Sequence, residues 1–467
     1  MGNPRPRHVL IVGGGASGLV ALRNFLQRGD FDRVELVERR DDVGGVWYLD
    51  KPPDASRSKS RRPRWPSPAY PNLIGNVLPR FLSFSEYPFP PPPGSPRQPY
   101  PTLVETHAYL KAFAAPLQSH IKLNTEVASV DETEGGRWSV VLREWSEAGE
   151  ASEREETWDA VVLAIADYDF PKWPTVDGLQ DLREKGLATH AQLWRGPRPY
   201  EGKHVVVIGN GNSSNDIAAQ LAVVARAPVH RSIRNPPPSK IVSLPDSRIV
   251  DVAPVANYTL EPSDRITAHL TDGTTLEDID HVVVGTGYAH DVPFLRVRDG
   301  KHELVPLIPP SIEPRRIPSL HRHILYAHNP TLAFIGTIVS AAPFPLSDVS
   351  STWVALAWSA RLPYPTSVAE RLESEKERIA ELQSIANAAE SESSFIAYHL
   401  LGSTEFAYAK ALTADVVNVQ PGLGEVLAKW DEEQQRALDA MYPTKLESLR
   451  VARDEGWSIG NLPVDKI

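Results

Sequence analysis

The 467-residue chain contains no cysteine. That absence removes disulfides, thiolate nucleophiles, cysteine-ligated metals and dithiol redox relays from consideration. No apolar run reaches the roughly eighteen residues that span a bilayer, and no apolar signal core follows the basic start, so a cytoplasmic location is expected. Basic charge is also short: 49 Lys and Arg against 59 Asp and Glu give a formal net charge of -10. Nucleic-acid binding needs a basic face that releases phosphate counterions, so the expected partner is a small molecule and no nucleic acid. No catalytic triad or metal-ligand motif is evident, and no metal is expected. What is present is apolar content, 41% of the residues, enough for two domains or one domain with a large insertion.

His8 to Gly13 (HVLIVG) is a short apolar run ending in glycine, as expected of a central parallel strand buried on both faces. Gly18 to Gln27 carries apolar residues at helical spacing, with Gly29 just past the helix end, and Val34 to Glu38 predicts the next strand. This unit of about thirty residues has the size of one mononucleotide-binding half. Leu103 to Ala114 reads as a helix. Ile121 to Val130 and Trp138 to Trp145 read as strands joined by a turn, and Trp158 to Ala166 as a buried strand. A second strand–loop–helix begins at His204 (HVVVIG, then GNGNSSNDIAAQLAVVA). Lys51 to Arg64 and Pro88 to Pro101 read as irregular surface excursions. After Tyr364 the chain turns charged and helical, through Ala369 to Ala389 and from Glu405 to Arg450, and this tail reads as packing material.

Gly13, Gly15 and Gly18 make a GxGxxG pattern between the first strand and its helix. The first glycine permits the tight turn, the second lets backbone approach a pyrophosphate, and the third lets helix pack on strand. Glu38, at the end of the next strand, is placed to accept hydrogen bonds from ribose hydroxyls. The second loop offers Gly209, Gly211, Asn212, Ser213 and Ser214, with Ser214 where the third glycine would stand. Its helix N-terminus still presents free amides to a phosphate, and serine hydroxyls add donors. Downstream, VHRSIRNP brings Arg231 and Arg234 and no acid, so a ribose 2′-phosphate is welcomed where Glu38 would repel one. That asymmetry assigns FAD to the first loop and NADPH to the second. The alternative is two arginines exposed on a surface loop.

Five segments then resemble one family. VERRDDVGGVWYL (Val37 to Leu49), AYPNLIGNVLPRFLSFSEYPFP (Ala69 to Pro90), GNGNSSND, DHVVVGTGYAHDVPFL with Thr286, Gly287 and Tyr288, and LAFIG (Leu332 to Gly336) occur in the order found in class B flavin monooxygenases, the flavin-containing monooxygenase family. The resemblance runs from about residue 8 to residue 360. It departs at EKGLATHAQLW, which keeps Gly186 and His190 but has Glu184 for the family's phenylalanine and closes on Trp194, a residue more typical of Baeyer–Villiger monooxygenases. It departs again at LAIADYDFP, where Ile165 and Ala166 stand for threonine and glycine.

The resemblance implies that NADPH gives hydride to FAD, that reduced flavin takes up O2 at C4a, and that the hydroperoxide passes one oxygen atom to a nucleophilic nitrogen or sulfur of a small molecule. Such chemistry asks the protein for positioning, water exclusion and a hydrogen bond. Asn76 is the catalytic candidate, its amide holding the oxygenated flavin and retained NADP+, with a turn-capping role beside Gly75 as the alternative. Asn212 faces the nicotinamide side or shapes the phosphate loop, and Trp47 walls the flavin or fills core. Ala16, Ser17, Arg39, Gly45, Val46 and Val127 complete the candidate cofactor contacts. His190 is expected to be structural. Competing readings are a Baeyer–Villiger enzyme acting on a ketone and a flavoprotein NADPH oxidase or binding module; a disulfide reductase fails for want of cysteine.

The expected fold is α/β, with two doubly wound, Rossmann-like domains. An NADPH domain (171–289) is inserted into an FAD domain (1–170 and 290–467), with a hinge near Phe170-Pro171 and Gly287. The substrate pocket is expected on loops such as Ser340 to Ser351, and a homodimer is compatible with the sequence.

Overall fold

Two parallel sheets organise the chain in the computed structural model, which describes residues 3–50, 63, 65–146, 148–234, 243–312, 315–389 and 398–454. The basic stretch 51–64 lies outside the described residues apart from Pro63. The first sheet centres on His8–Val12, where Val9, Leu10 and Ile11 are fully buried. This strand pairs in parallel with Arg33–Val37 on one side and Ala160–Leu163 on the other. Ile121–Lys122 and Leu332–Phe334 extend the sheet in parallel beyond these two. The antiparallel strands Leu325–Tyr326 and Leu320–His321 finish one edge. The helix Ala16–Arg28 makes the first crossover. Gly29 beyond it has φ -91°, open to any residue; its smallness matters because a Cβ there would lie 2.1 Å from the Phe31 ring.

The second sheet runs Ile249–Val252, Val229–Ser232, Val205–Ile208, His281–Val284, Ala188–His190, every neighbour parallel. All its strands fall in sequence between Ala160–Leu163 and Leu332–Phe334. One doubly wound unit is thus inserted into the other. The outgoing and returning chain meet, because Phe170–Pro171 pairs antiparallel with Tyr288–Ala289.

The run Ile121 to Val130, expected as one strand, serves two sheets. Ile121–Lys122 stays in the nucleotide sheet, and Thr125–Glu132 joins an antiparallel sheet with Trp138–Trp145 and Ala151–Trp158. The break is Asn124 at φ +58°, a left-handed conformation that Asn tolerates through local hydrogen bonding. The helix Leu103–Ala114 forms as expected, opened by a capping box of Thr102 and Glu105.

The expected pocket loop Ser340 to Ser351 is largely helix instead, Pro343–Trp358, with nearly every side chain buried. Proline suits the first helical turn, whose amides have no intrahelical partner. The polar residues of this helix meet buried polar partners. Asp348 accepts from Arg23 Nη2 at 3.0 Å, Asn24 Nδ2 at 2.9 Å and the Ser85 amide at 2.7 Å, with Arg28 Nη1 at 3.3 Å. This buried network locks the helix against Ala16–Arg28. The tail folds as Glu405–Val419, Glu432–Asp439 and Met441–Asp454.

Candidate functional site

Gly13 leaves the first strand at φ +107°, and a Cβ on it would lie 2.7 Å from the Ala164 carbonyl oxygen. The Gly14 amide donates to Glu38 Oε2 at 2.7 Å and the Arg40 amide to Oε1 at 2.9 Å. Two backbone donors thus fix a carboxylate that is 5% exposed and still has lone pairs for a ribose diol. The Val43 to Trp47 loop folds across the glycines: Gly44 donates to the Gly14 carbonyl at 2.9 Å. A Cβ on Gly45 would lie 2.7 Å from Gly15 Cα, so only bare backbone fits there. Ala16 and Ser17 form the first turn of a helix with no side-chain cap, which leaves its leading amides for a phosphate. Ser17 Oγ meets Ser347 Oγ at 3.0 Å beside a cavity of about 60 Å³ that Gly336 and Thr337 also line. This cradle fits a dinucleotide.

Arg39 pairs with Asp169 at 2.6 Å. Its neighbour Arg40, not singled out from the sequence, is buried, and donates Nη1 to the Gly45 carbonyl at 2.7 Å and Nε to the Trp65 carbonyl at 2.8 Å. Alternation after buried Glu38 was the available signal, since residues two apart in extended chain share a face. Val46 continues this loop. Val127 lies on the strand whose Thr125 amide donates to the Glu38 main-chain carbonyl at 2.9 Å.

In the second loop Gly209 turns at φ +116°, and Gly211 has open space where a Cβ would stand. Asn212 and Ser213 are exposed on an uncapped first helical turn. Ser214 is buried, and its hydroxyl donates inward to the Gly285 carbonyl at 3.0 Å. Arg231 grips Asp251 through Nε and Nη2 at 2.7 and 2.9 Å and also bonds Asn215. The acid missing from VHRSIRNP therefore arrives from the neighbouring strand, in register with Arg231. Arg234 is exposed beyond the strand end. The Thr286 hydroxyl donates to the Lys172 carbonyl, and the Lys172 amide to the Gly287 carbonyl at 2.9 Å. Both residues lie where the chain recrosses between the units.

The Asn76 segment spans the two units. Tyr70 and Leu73 pack in the core of the second unit with Ile217 and Leu221, while Ile74, Val77 and Phe81 pack in that of the first. Gly75 donates to the Pro101 carbonyl at 2.8 Å and lies against the tip of the half-buried Trp47. The Asn76 side chain is exposed, and among the described residues it makes no hydrogen bond to a backbone group. Nearby, Arg195 Nη2 crosses from the second unit to Asp50 at 2.7 Å.

His190 is 2% exposed and packs 5.2 Å from the Tyr288 ring and 5.7 Å from Trp173. Burial pushes its imidazole down to about 4, which keeps it neutral and structural at the crossing. Trp194 stacks on Tyr200 at 5.3 Å within the second unit's core. Among the described residues no group of three His, Asp or Glu could hold a metal ion, and no helix is long and apolar enough to cross a membrane.

A model of the flavin-binding monooxygenase-like family matches residues 6–236 and 242–412. Flavin-containing monooxygenase FMO GS-OX4 of Arabidopsis thaliana is 30% identical over 374 residues, 77% of this chain and 75% of its own. The thiol-specific monooxygenase of Saccharomyces cerevisiae is 26% identical over 381 residues, 77% and 79% of the two chains. The S-allyl-L-cysteine S-oxygenase from Allium sativum shares the fold with a TM-score of 0.73 at 24% identity, over 98% of this chain and 96% of that one.

Proposed function

The chain belongs to the flavin-binding monooxygenase-like family, and from that premise we propose that it transfers one oxygen atom of O2 to a nucleophilic sulfur or nitrogen of a small molecule. It is an NADPH-dependent oxidoreductase with FAD as its flavin. FAD reduced by NADPH supplies the activation of O2. The residues of the chain hold and orient. Glu38 takes the adenosine ribose of FAD, the amides of Ala16 and Ser17 take the pyrophosphate, and Arg234 takes the 2′-phosphate of NADPH. Trp47 and the Gly75 backbone wall the reacting region. Asn76 donates a hydrogen bond there from a neutral amide, which orients without surrendering a proton.

The observation that carries this reading is the exposed Asn76 amide, without a hydrogen-bond partner among the described residues, on the segment that bridges the two nucleotide units. Trp194, the residue that favoured ketone oxygenation, is packed in the core of the second unit. Two of the similar proteins, a thiol-specific monooxygenase and an S-oxygenase, support sulfur. The test is product analysis with NADPH and a thioether, a tertiary amine or a cyclic ketone. Sulfoxide or N-oxide is expected; lactone alone, or hydrogen peroxide with no oxygenated product, overturns the proposal.

A further inference from the structure

The tail helix Met441–Asp454 is remote in sequence from both glycine loops, yet Lys445 Nζ donates to the Gly75 carbonyl at 2.7 Å. Lys445 is 8% exposed, and its ammonium lies 4.7 Å from the Tyr100 ring centre. Tyr100 is itself fully buried, and its hydroxyl donates to the Met441 carbonyl, which pins the start of the helix. With the Gly75 amide bonded to Pro101, both polar groups of the residue preceding Asn76 are held.

A buried ammonium needs an opposite charge in reach. Asp216, on the second turn of Asn212–Val224, the helix of the second nucleotide loop, attracts it from beyond ion-pair distance. The attraction is mutual. Burial pushes Lys445 down to about 8 and Asp216 up to about 6, and each opposes the shift of the other. The Gln220 amide also donates to Asp216, at 3.3 Å. One side chain of the tail thus grips the segment that carries Asn76, and that segment packs in turn on the helix of the second nucleotide loop.

We infer that Lys445 is a positioning residue for oxygen transfer: its bond fixes the Gly75 carbonyl, and because the same segment packs Tyr70 and Leu73 against Ile217 and Leu221 of the Asn212–Val224 helix, it holds the Asn76 amide in register with the second nucleotide loop. This rests on the reading of Asn76 given above. Nothing in the linear sequence marks it, because the contact joins residues 370 positions apart.

The test uses the full-length FAD-loaded protein and the variants Lys445→Met, Lys445→Arg, Asp216→Asn and Asn76→Ala. Three quantities are read: the NADP+ dissociation constant by calorimetry, the flavin absorption spectrum, and the partition of NADPH electrons between sulfoxide and hydrogen peroxide. Lys445→Met is expected to weaken NADP+ roughly ten-fold, the scale of one charge-assisted hydrogen bond, to shift the spectrum, and to move electrons toward peroxide. Asp216→Asn should produce a smaller change of the same kind, and Lys445→Arg should retain most of the wild-type values. Lys445→Met with all three quantities unchanged overturns the inference. If that variant yields no holoprotein, Asp216→Asn decides: unchanged NADP+ binding and partition overturn it. If Asn76→Ala leaves the partition unchanged, the Asn76 reading itself falls and takes the inference with it. If Asn76→Ala uncouples and Lys445→Met does not, only the role of Lys445 falls.

Discussion

In the first nucleotide loop the helix lies so close to the strand that a Cβ on Gly18 would stand 1.9 Å from the Gly13 carbonyl oxygen. In the second loop the same position is Ser214, whose hydroxyl bonds the Gly285 carbonyl at 3.0 Å. The facing residues are reversed in turn. Ala164 lies opposite the first loop, whereas a Cβ on Gly285 opposite the second would stand 2.2 Å from Ser214 Oγ. Close helix–strand packing needs one small partner, and either side can supply it. The departure of LAIADYDFP from the family pattern follows the same logic: Ala166 is not among the residues at positive φ, whereas its counterpart Gly287 turns at +78°.

This difference makes Gly18→Ala the most damaging single change. The clash is with backbone, so no rotamer relieves it. Expression of Gly18→Ala should give protein without bound flavin, or none that folds; a yellow holoprotein with wild-type melting temperature would break the comparison. Next comes Asp348→Ala. It strands Arg23 and Arg28 in the core without their carboxylate, for an expected loss of about 3–5 kcal/mol, read by denaturant unfolding of the holoprotein. In the second unit the carboxylate Asp251 that faces Arg231 is half-exposed, so a change of equal size on its removal is not expected.

The reversal also explains what the linear sequence displayed. Both glycine loops, their strands and Glu38 were legible, because parallel strands buried on two faces are continuous apolar runs and a tight turn demands glycine. Asn76 was marked by its family segment, and the bridging packing of Tyr70 and Phe81 around it gives that position a physical basis. What was illegible depends on neighbours far away in the chain. Asp251 reaches Arg231 from an adjacent strand, Asp348 turns an apparent loop into a buried helix, and Lys445 arrives from a tail that read as mere packing. Ile121 to Val130 failed for a local reason, since a single left-handed Asn124 divides one apolar run between two sheets.

A milder probe is Gly285→Ala. Here the obstacle is the tip of a side chain, so the cost should be about 1–3 kcal/mol, typical of overpacking. Adding Ser214→Gly should recover most of it and leave the second loop built like the first. Thermal unfolding of the two single variants and the double completes the cycle; simple additivity would show that Ser214 and Gly285 do not trade space.

The smallest effect expected separates the two arginines of the second loop. Arg231 is bonded to Asp251 and Asn215; Arg234 is exposed past the strand end and is the residue proposed above to take the 2′-phosphate of NADPH. Arg234→Ala should therefore raise the KM for NADPH about ten-fold, or about 1.4 kcal/mol, and leave the KM for NADH nearly unchanged. Arg231→Ala should alter the preference less, because it removes a guanidinium already neutralised by a carboxylate. Steady-state kinetics with both nucleotides measures the ratio directly. A larger loss of NADPH preference in Arg231→Ala would mean that the nucleotide displaces Asp251 to recruit Arg231, and the two loops would then differ in how they select a ribose as well as in where they place glycine.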